Sequence, residues 1–175
     1  MKKLFLMTFV LGLSYQLFAS ATTSVIEIVK SETTQQADNT GLKFVDDKFT
    51  LVLEKYLALK DALVGTDAAN AKLRAKELST ALASFKPNTP AIKSAVKISN
   101  ENDVEIQRRY FLQLNTQMIS LLKANKIKTG AAYIAYCPMA DNDNGGYWIT
   151  NENAIRNPYF GNKMMKCGKI KETIK

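Results

Sequence analysis

Phe-Thr-Leu-Val-Leu-Glu-Lys-Tyr-Leu-Ala-Leu-Lys-Asp-Ala-Leu, residues 49–63, decides the fold class. Phe49, Val52, Leu53, Tyr56, Leu59 and Leu63 recur at steps of three and four, so on a helix they form one apolar stripe. A stripe of this kind needs cover, and the next segment supplies it. Gly65 ends the helix, Thr66 or Asp67 caps another, and Ala71, Ala75, Leu78, Leu82 and Phe85 make a second stripe. The short link predicts an antiparallel helical hairpin. Pro87 and Pro90 punctuate its exit. Thr89-Pro90 reads as an N-cap and first-turn pair for a short helix over Ala91 to Ile98. Asn102 or Asp103 starts a longer one, with Ile106, Tyr110, Phe111, Leu114, Met118, Leu121 and Leu122 facing inward. Its last turn carries Lys123, Lys126 and Lys128, whose charge complements the helix dipole. These stripes are core, not cofactor boxes.

After Gly130 the helical period disappears. Ala131 to Tyr136 and Gly146 to Thr150 are aromatic and β-branched, like strands, and Asn144-Gly145 between them is a hairpin signal. Five of the eight glycines, four of the seven tyrosines and the only Trp lie from Gly130 onward, so the end of the chain is a different kind of structure from its middle. The expected fold is mainly α: an antiparallel bundle of three to four helices with a small C-terminal β-hairpin and irregular cap. Trp148 is expected to be buried where cap meets bundle, its indole N–H finding a partner.

The N-terminal side has another character. Lys2 and Lys3, the apolar run Leu4 to Leu11, and Ala19-Ser20-Ala21 match a cleavable secretory signal peptide over 1–21, predicting a mature N-terminus at Thr22. The apolar stretch falls short of the roughly 20 residues that span a bilayer, and no other segment is long enough. Residues 22–45 read as a polar tether with a short strand-like run at Val25 to Val29, and 46–175 as a single domain. The expected location is the periplasm or the extracellular space.

The net charge is +8, and +6 once the two signal lysines are removed. The lysines are scattered among acids and no basic stretch is interleaved with aromatics, so a solvated face is the expected reading and nucleic acid finds no support. The chain has no histidine, which excludes the imidazole-dependent nucleophile arrangements and nearly every zinc-enzyme ligand set. It has no Gly-rich phosphate loop. The expectation is that it is not an enzyme.

Chemistry concentrates in the cap. Both cysteines, Cys137 and Cys167, lie there with Met139, Met164 and Met165 beside them. Thiolate and thioether are soft donors and select Cu(I) or Ag(I) over zinc or calcium. In extended backbone Met165 and Cys167 share a face, as do Cys137 and Met139 if Pro138 keeps that segment extended. The competing reading is a Cys137–Cys167 disulfide, which export favours and which would add about 3.5 kcal/mol by closing the 30-residue loop. Composition and compartment weigh toward the disulfide. A calcium loop is also spelled in part by Asp141, Asp143, Gly146 and Glu152, but Gly145 stands at its fifth position where an oxygen ligand is usual.

Several runs together are distinctive: Cys137-Pro138-Met139-Ala140, Gly146-Tyr147-Trp148, Ile155-Arg156-Asn157-Pro158-Tyr159-Phe160-Gly161 and Lys163-Met164-Met165-Lys166-Cys167-Gly168, with Tyr56 to Val64 and Gln107-Arg108-Arg109 in the helices. With these the chain resembles a bacterial domain family of unknown function, the one numbered three-three-four-seven, over about residues 48–173. Members of that family occur as small exported proteins and fused to periplasmic adaptors of copper- and silver-type heavy-metal efflux pumps. The resemblance therefore implies soft-metal handling and tips the reading toward a Cu(I) or Ag(I) site drawn from Cys137, Met139, Met164, Met165 and Cys167. An efflux adaptor or another envelope protein is the implied partner. Tyr136-Cys137-Pro138-Met139 is also similar to part of the short heavy-metal-binding motif of such pumps, without its flanking histidines. The segment from Arg156 to Gly161 is expected to be architecture: Pro158 stops a helix, Gly161 supplies a bend, and Arg156 fixes a carboxylate or the helix ends.

Overall fold

The computed structural model describes residues 41–87 and 89–175. The leader read at 1–21 and the run Val25 to Val29 lie outside the described residues. In chain order the elements are β1 (Lys43–Phe44), α1 (Asp47–Val64), α2 (Ala68–Phe85), α3 (Pro90–Asn100), α4 (Val104–Ala124), β2 (Ile127–Thr129), β3 (Ala132–Cys137), β4 (Gly146–Thr150) and β5 (Lys169–Ile174). Three helices begin on an aspartate whose carboxylate takes up the first free N–H groups. Asp46 accepts from Lys48 and Phe49, Asp67 from Asn70, and Asp103 from Glu105 and Ile106, each cap contributing about 1 kcal/mol. Thr89 is the N-cap of α3 with Pro90 at its first turn, but its hydroxyl makes no cap bond.

Most of the expected stripe residues are buried, while Phe85, Ile106, Tyr110 and Leu121 are half-buried at the margin. Phe49, Val52, Leu53, Tyr56, Leu59 and Leu63 of α1 face Ala71, Ala75, Leu78 and Leu82 of α2, and Phe111, Leu114, Met118 and Leu122 of α4 close the core. Short links of three or four residues make consecutive helices antiparallel, and each packs on the next. No described helix is long and apolar enough to cross a membrane.

Four details depart from the sequence reading. Leu42 and Phe44, placed in the tether, belong to the fold: both are buried, and the Phe44 ring meets Phe49 edge-on at 4.7 Å. β1 pairs antiparallel with β2, so α4 ends at Ala124 and Lys126 and Lys128 fall beyond its last turn. β5 was not foreseen; it pairs antiparallel with β3, giving a three-stranded sheet in the order β4–β3–β5. Finally, β3 and β4 do pair, with Cys137 opposite Gly146, but through residues 138–145 rather than a two-residue Asn-Gly turn. Asp141, Asn142 and Asp143 take left-handed backbone in succession there, a conformation that Asp and Asn adopt more readily than other non-glycine residues.

The sheet is held to the bundle by a buried polar chain. β4 is an edge strand, and two of its backbone groups bond to tyrosines instead of to another strand. The Ile149 N–H donates to the Tyr56 hydroxyl at 2.9 Å, and the Tyr147 carbonyl accepts from the Tyr159 hydroxyl. Asn115 on α4 joins them: its Oδ1 accepts from Tyr56, and its Nδ2 donates to Tyr159 at 2.8 Å. Every proton has one direction to go. Burial, the largest cause, holds both phenols well above the usual tyrosine range. The expected Trp148 is fully buried, yet its indole N–H has no partner among the described residues. Its ring instead meets Tyr159 edge-on at 5.9 Å, an apolar contact that leaves the polar corner unmet.

Candidate functional site

Cys137 is the last residue of β3 and fully buried. Pro138 follows, and its missing N–H ends the ladder. Cys167 arrives from the other side, in a turn that Asn157 builds. Asn157 is fully buried: its N–H donates to the Met165 carbonyl at 2.9 Å, its Nδ2 to the Cys167 carbonyl at 2.8 Å, and its Oδ1 accepts from the Tyr159 N–H at 2.8 Å. Gly168 lets this turn pass close over the sheet. It adopts φ 131°, and a Cβ there would lie 2.8 Å from the Tyr136 carbonyl oxygen and 2.9 Å from the Trp148 ring.

The result is two free thiols, from residues 30 apart in sequence, within hydrogen-bonding reach of each other. Burial and the neighbouring Cys137 push the Cys167 thiol up to about 11, while a hydrogen bond from the Met139 backbone works the other way. A thiol held there is protonated at neutral pH and exchanges its proton for a ligand-accepting metal only against that preference.

Of the five expected soft donors, Cys137 and Cys167 face each other, and Met139 and Met164 share a cavity. Met139 is 46% exposed and, with Met164, lines a cavity of about 520 Å³ between the 140–143 turn, Phe160 and the first half of α4. Met165 does not line it. The expected shared faces do not form. β3 stops at Cys137, so Met139 turns outward while Cys137 stays buried. Met164 and Met165 sit in a turn closed by the Cys167 N–H to the Met164 carbonyl at 3.1 Å, not in a strand. The calcium spacing is also broken in space. Asp141 and Asp143 lie before β4 and Glu152 beyond its far end, where it pairs with Arg156 at 3.6 Å. Among the described residues no three carboxylate, Cys or His groups gather as metal ligands.

The arginine that holds the helix ends is Arg108, not Arg156. Arg156 takes the other expected role, fixing carboxylates: half-exposed, it reaches Asp61 and Glu152 at 3.6 Å each. Arg108 is buried and spends its guanidinium on four groups. Nε donates to the Pro158 carbonyl (2.9 Å), Nη1 to Glu105 (2.9 Å), and Nη2 to the Leu63 carbonyl (2.9 Å) and Thr66 Oγ1 (3.1 Å). It is a second donor to the Leu63 carbonyl at the end of α1, which also accepts from the Thr66 N–H at 3.1 Å, and ties it to the loop that carries Asn157. Gly161 packs against this cluster at φ 53°, fulfilling its expected role as a bend. Beside it, Gln107 Nε2 donates at 2.9 Å to both Ala68 and Glu101 carbonyls. Only adjacency in Gln107-Arg108-Arg109 marked these residues in the sequence; a polar pair on the inward side of α4 was the available signal.

Fold and site together define a mainly α protein, a helical bundle with a small antiparallel sheet that presents a buried cysteine pair. Residues 52–130 match the family described as protein of unknown function (DUF3347). The matched stretch covers most of α1, then α2 to α4 and β2; the cysteine-bearing cap follows it. No curated protein and no solved structure matches the chain.

Proposed function

We propose that this is an exported, non-catalytic accessory protein that binds Cu(I) or Ag(I) and serves heavy-metal efflux, in contact with an efflux adaptor or another envelope protein. The observation that carries the reading is the meeting of the Cys137 and Cys167 thiols, with the Met139 backbone at the Cys167 sulfur. Two thiolates supply the anionic soft donors that a monovalent soft ion needs, and a thioether can complete a three-coordinate site. Met139, Met164 and Met165 are the candidate thioethers, adjacent in sequence to the two cysteines. Binding displaces the Cys167 proton, so with that thiol up to about 11 the apparent affinity rises about tenfold per pH unit below this value.

The same facing thiols support a second reading, a disulfide-stapled interaction domain without metal. Two thiols would give up two protons and two electrons to an oxidised thiol–disulfide partner protein. Competition against a Cu(I) chelator, with native thiols counted by mass spectrometry, separates the two. The metal reading expects about one Cu(I) per reduced chain, severe loss in Cys137→Ser or Cys167→Ser, and smaller loss in Met139→Leu or Met164→Leu. Met165→Leu should likewise cost less than either cysteine variant, and Met118→Leu should bind as the parent does. A quantitative native disulfide, with reduced protein unable to compete for Cu(I), refutes it in favour of the stapled domain.

A further inference from the structure

A second cavity, of about 550 Å³, opens between α4 and the sheet, away from the cysteines. Its volume lies in the range of small-molecule sites, about 300–1,000 Å³. One wall is apolar: Leu112 and Ile119 from α4 face Ile134 from β3. The rim is charged. Lys123 and Glu172 are ion-paired across it at 2.7 Å, each about half exposed, which leaves Lys171 as the uncompensated charge. The Lys171 ammonium lies 5.5 Å from the centre of the Tyr136 ring, and Tyr136 in turn packs on Tyr147 at 4.5 Å. Tyr147 is 46% exposed and lines the cavity mouth. The sequence shows no basic stretch interleaved with aromatics; strand pairing puts Tyr136 opposite Lys169 and beneath Lys171.

An apolar wall beneath a net positive rim matches a molecule with the complementary division. We infer that this cleft binds a small single-chain amphipathic anion, its apolar body along Leu112, Ile119 and Ile134 and its carboxylate or phosphate head at Lys171. A purely polar anion would leave the wall wet, and a cationic amphiphile would meet Lys171 with like charge. The site shares no residue with the cysteine pair, so it stands whether or not the protein binds metal.

Titration calorimetry of the full chain with decanoate, below its micelle concentration, tests the assignment. Decyl phosphate and decyltrimethylammonium are titrated in parallel. One saturable site for decanoate or decyl phosphate is expected, the tighter of the two naming the head group, and no competition by the cation. Lys171→Gln should weaken binding about tenfold, the effect of one unit charge in contact at about 3 Å in water, and Glu172→Gln should strengthen it about three-fold, that of one at about 6 Å. Both side chains are exposed, so the variants fold, as circular dichroism will confirm. Equal binding of the cationic amphiphile, absence of a saturable site, or affinities that ignore both charge changes would each overturn the inference.

Discussion

Replacing Tyr56 by Phe removes one oxygen from the centre of the protein and leaves the packing of the ring intact. The ring stacks on Phe111 at 5.5 Å, and Phe keeps that contact. What is lost is the hydroxyl between Ile149 and Asn115. The Ile149 N–H is then a buried donor with no acceptor, and Asn115 Oδ1 a buried acceptor with one donor fewer. An orphaned buried group costs about 1–3 kcal/mol, more for the donor than for the acceptor, so the expected loss is about 2–4 kcal/mol. For a chain of this size that corresponds to roughly 5–15 °C in Tm. The assay is urea unfolding followed by Trp148 fluorescence and by circular dichroism, with an unchanged slope against denaturant showing that the same surface unfolds. Tyr110→Phe, on the half-buried side of α4, is the control and should change stability by less than about 0.5 kcal/mol. Because Tyr56 and Tyr159 both bond Asn115, the double variant Tyr56→Phe/Tyr159→Phe should lose less than the two singles together. Tyr56→Phe within about 0.5 kcal/mol of the parent, or strict additivity with Tyr159→Phe, would refute the idea that this chain anchors the edge of β4.

Gly161→Ala should destabilise by about 2 kcal/mol or more, since its Cβ would sit 2.4 Å from Thr66 Oγ1 and 2.5 Å from Arg108 Nη2 at a positive φ; chemical denaturation reads the loss, and a neutral result means that the Arg108 cluster can move. Tyr56 and Tyr159 keep their protons in the fold at pH values where an exposed phenol has lost its own. Their raised values give stability that is complete below the ordinary tyrosine pKa, about 10, and is lost as pH climbs above it. Ultraviolet titration of phenolate should therefore show these two tyrosines ionising together with alkaline unfolding, and smooth ionisation of every tyrosine in folded protein would contradict their burial.

The four helices were legible because the code for them is local. A stripe at three- and four-residue steps, an aspartate before it and a glycine or proline after it lie within one short window, and α1 to α4 form where those signals stand. β3 and β4 were legible for the same reason. β5 was not: Lys-Ile-Lys-Glu-Thr-Ile reads as a solvated, charged stretch, and it becomes a strand only because the edge of β3 offers it a partner. The two-residue β1 and the exit from α4 likewise depend on each other across more than eighty residues of chain. For the site, the sequence named the two cysteines and the motif from Arg156 to Gly161. It did not say that Asn157 would fold the second cysteine back onto the first, or that Met139 and Met164 would line one cavity. Nor did it separate Arg108 from Arg156, since both are single cations and only burial gives one of them four acceptors. Local periodicity determines which segments become helices; which backbone groups, thiols and charges face one another is decided by long-range pairing, whose energy exists only once the partners have met.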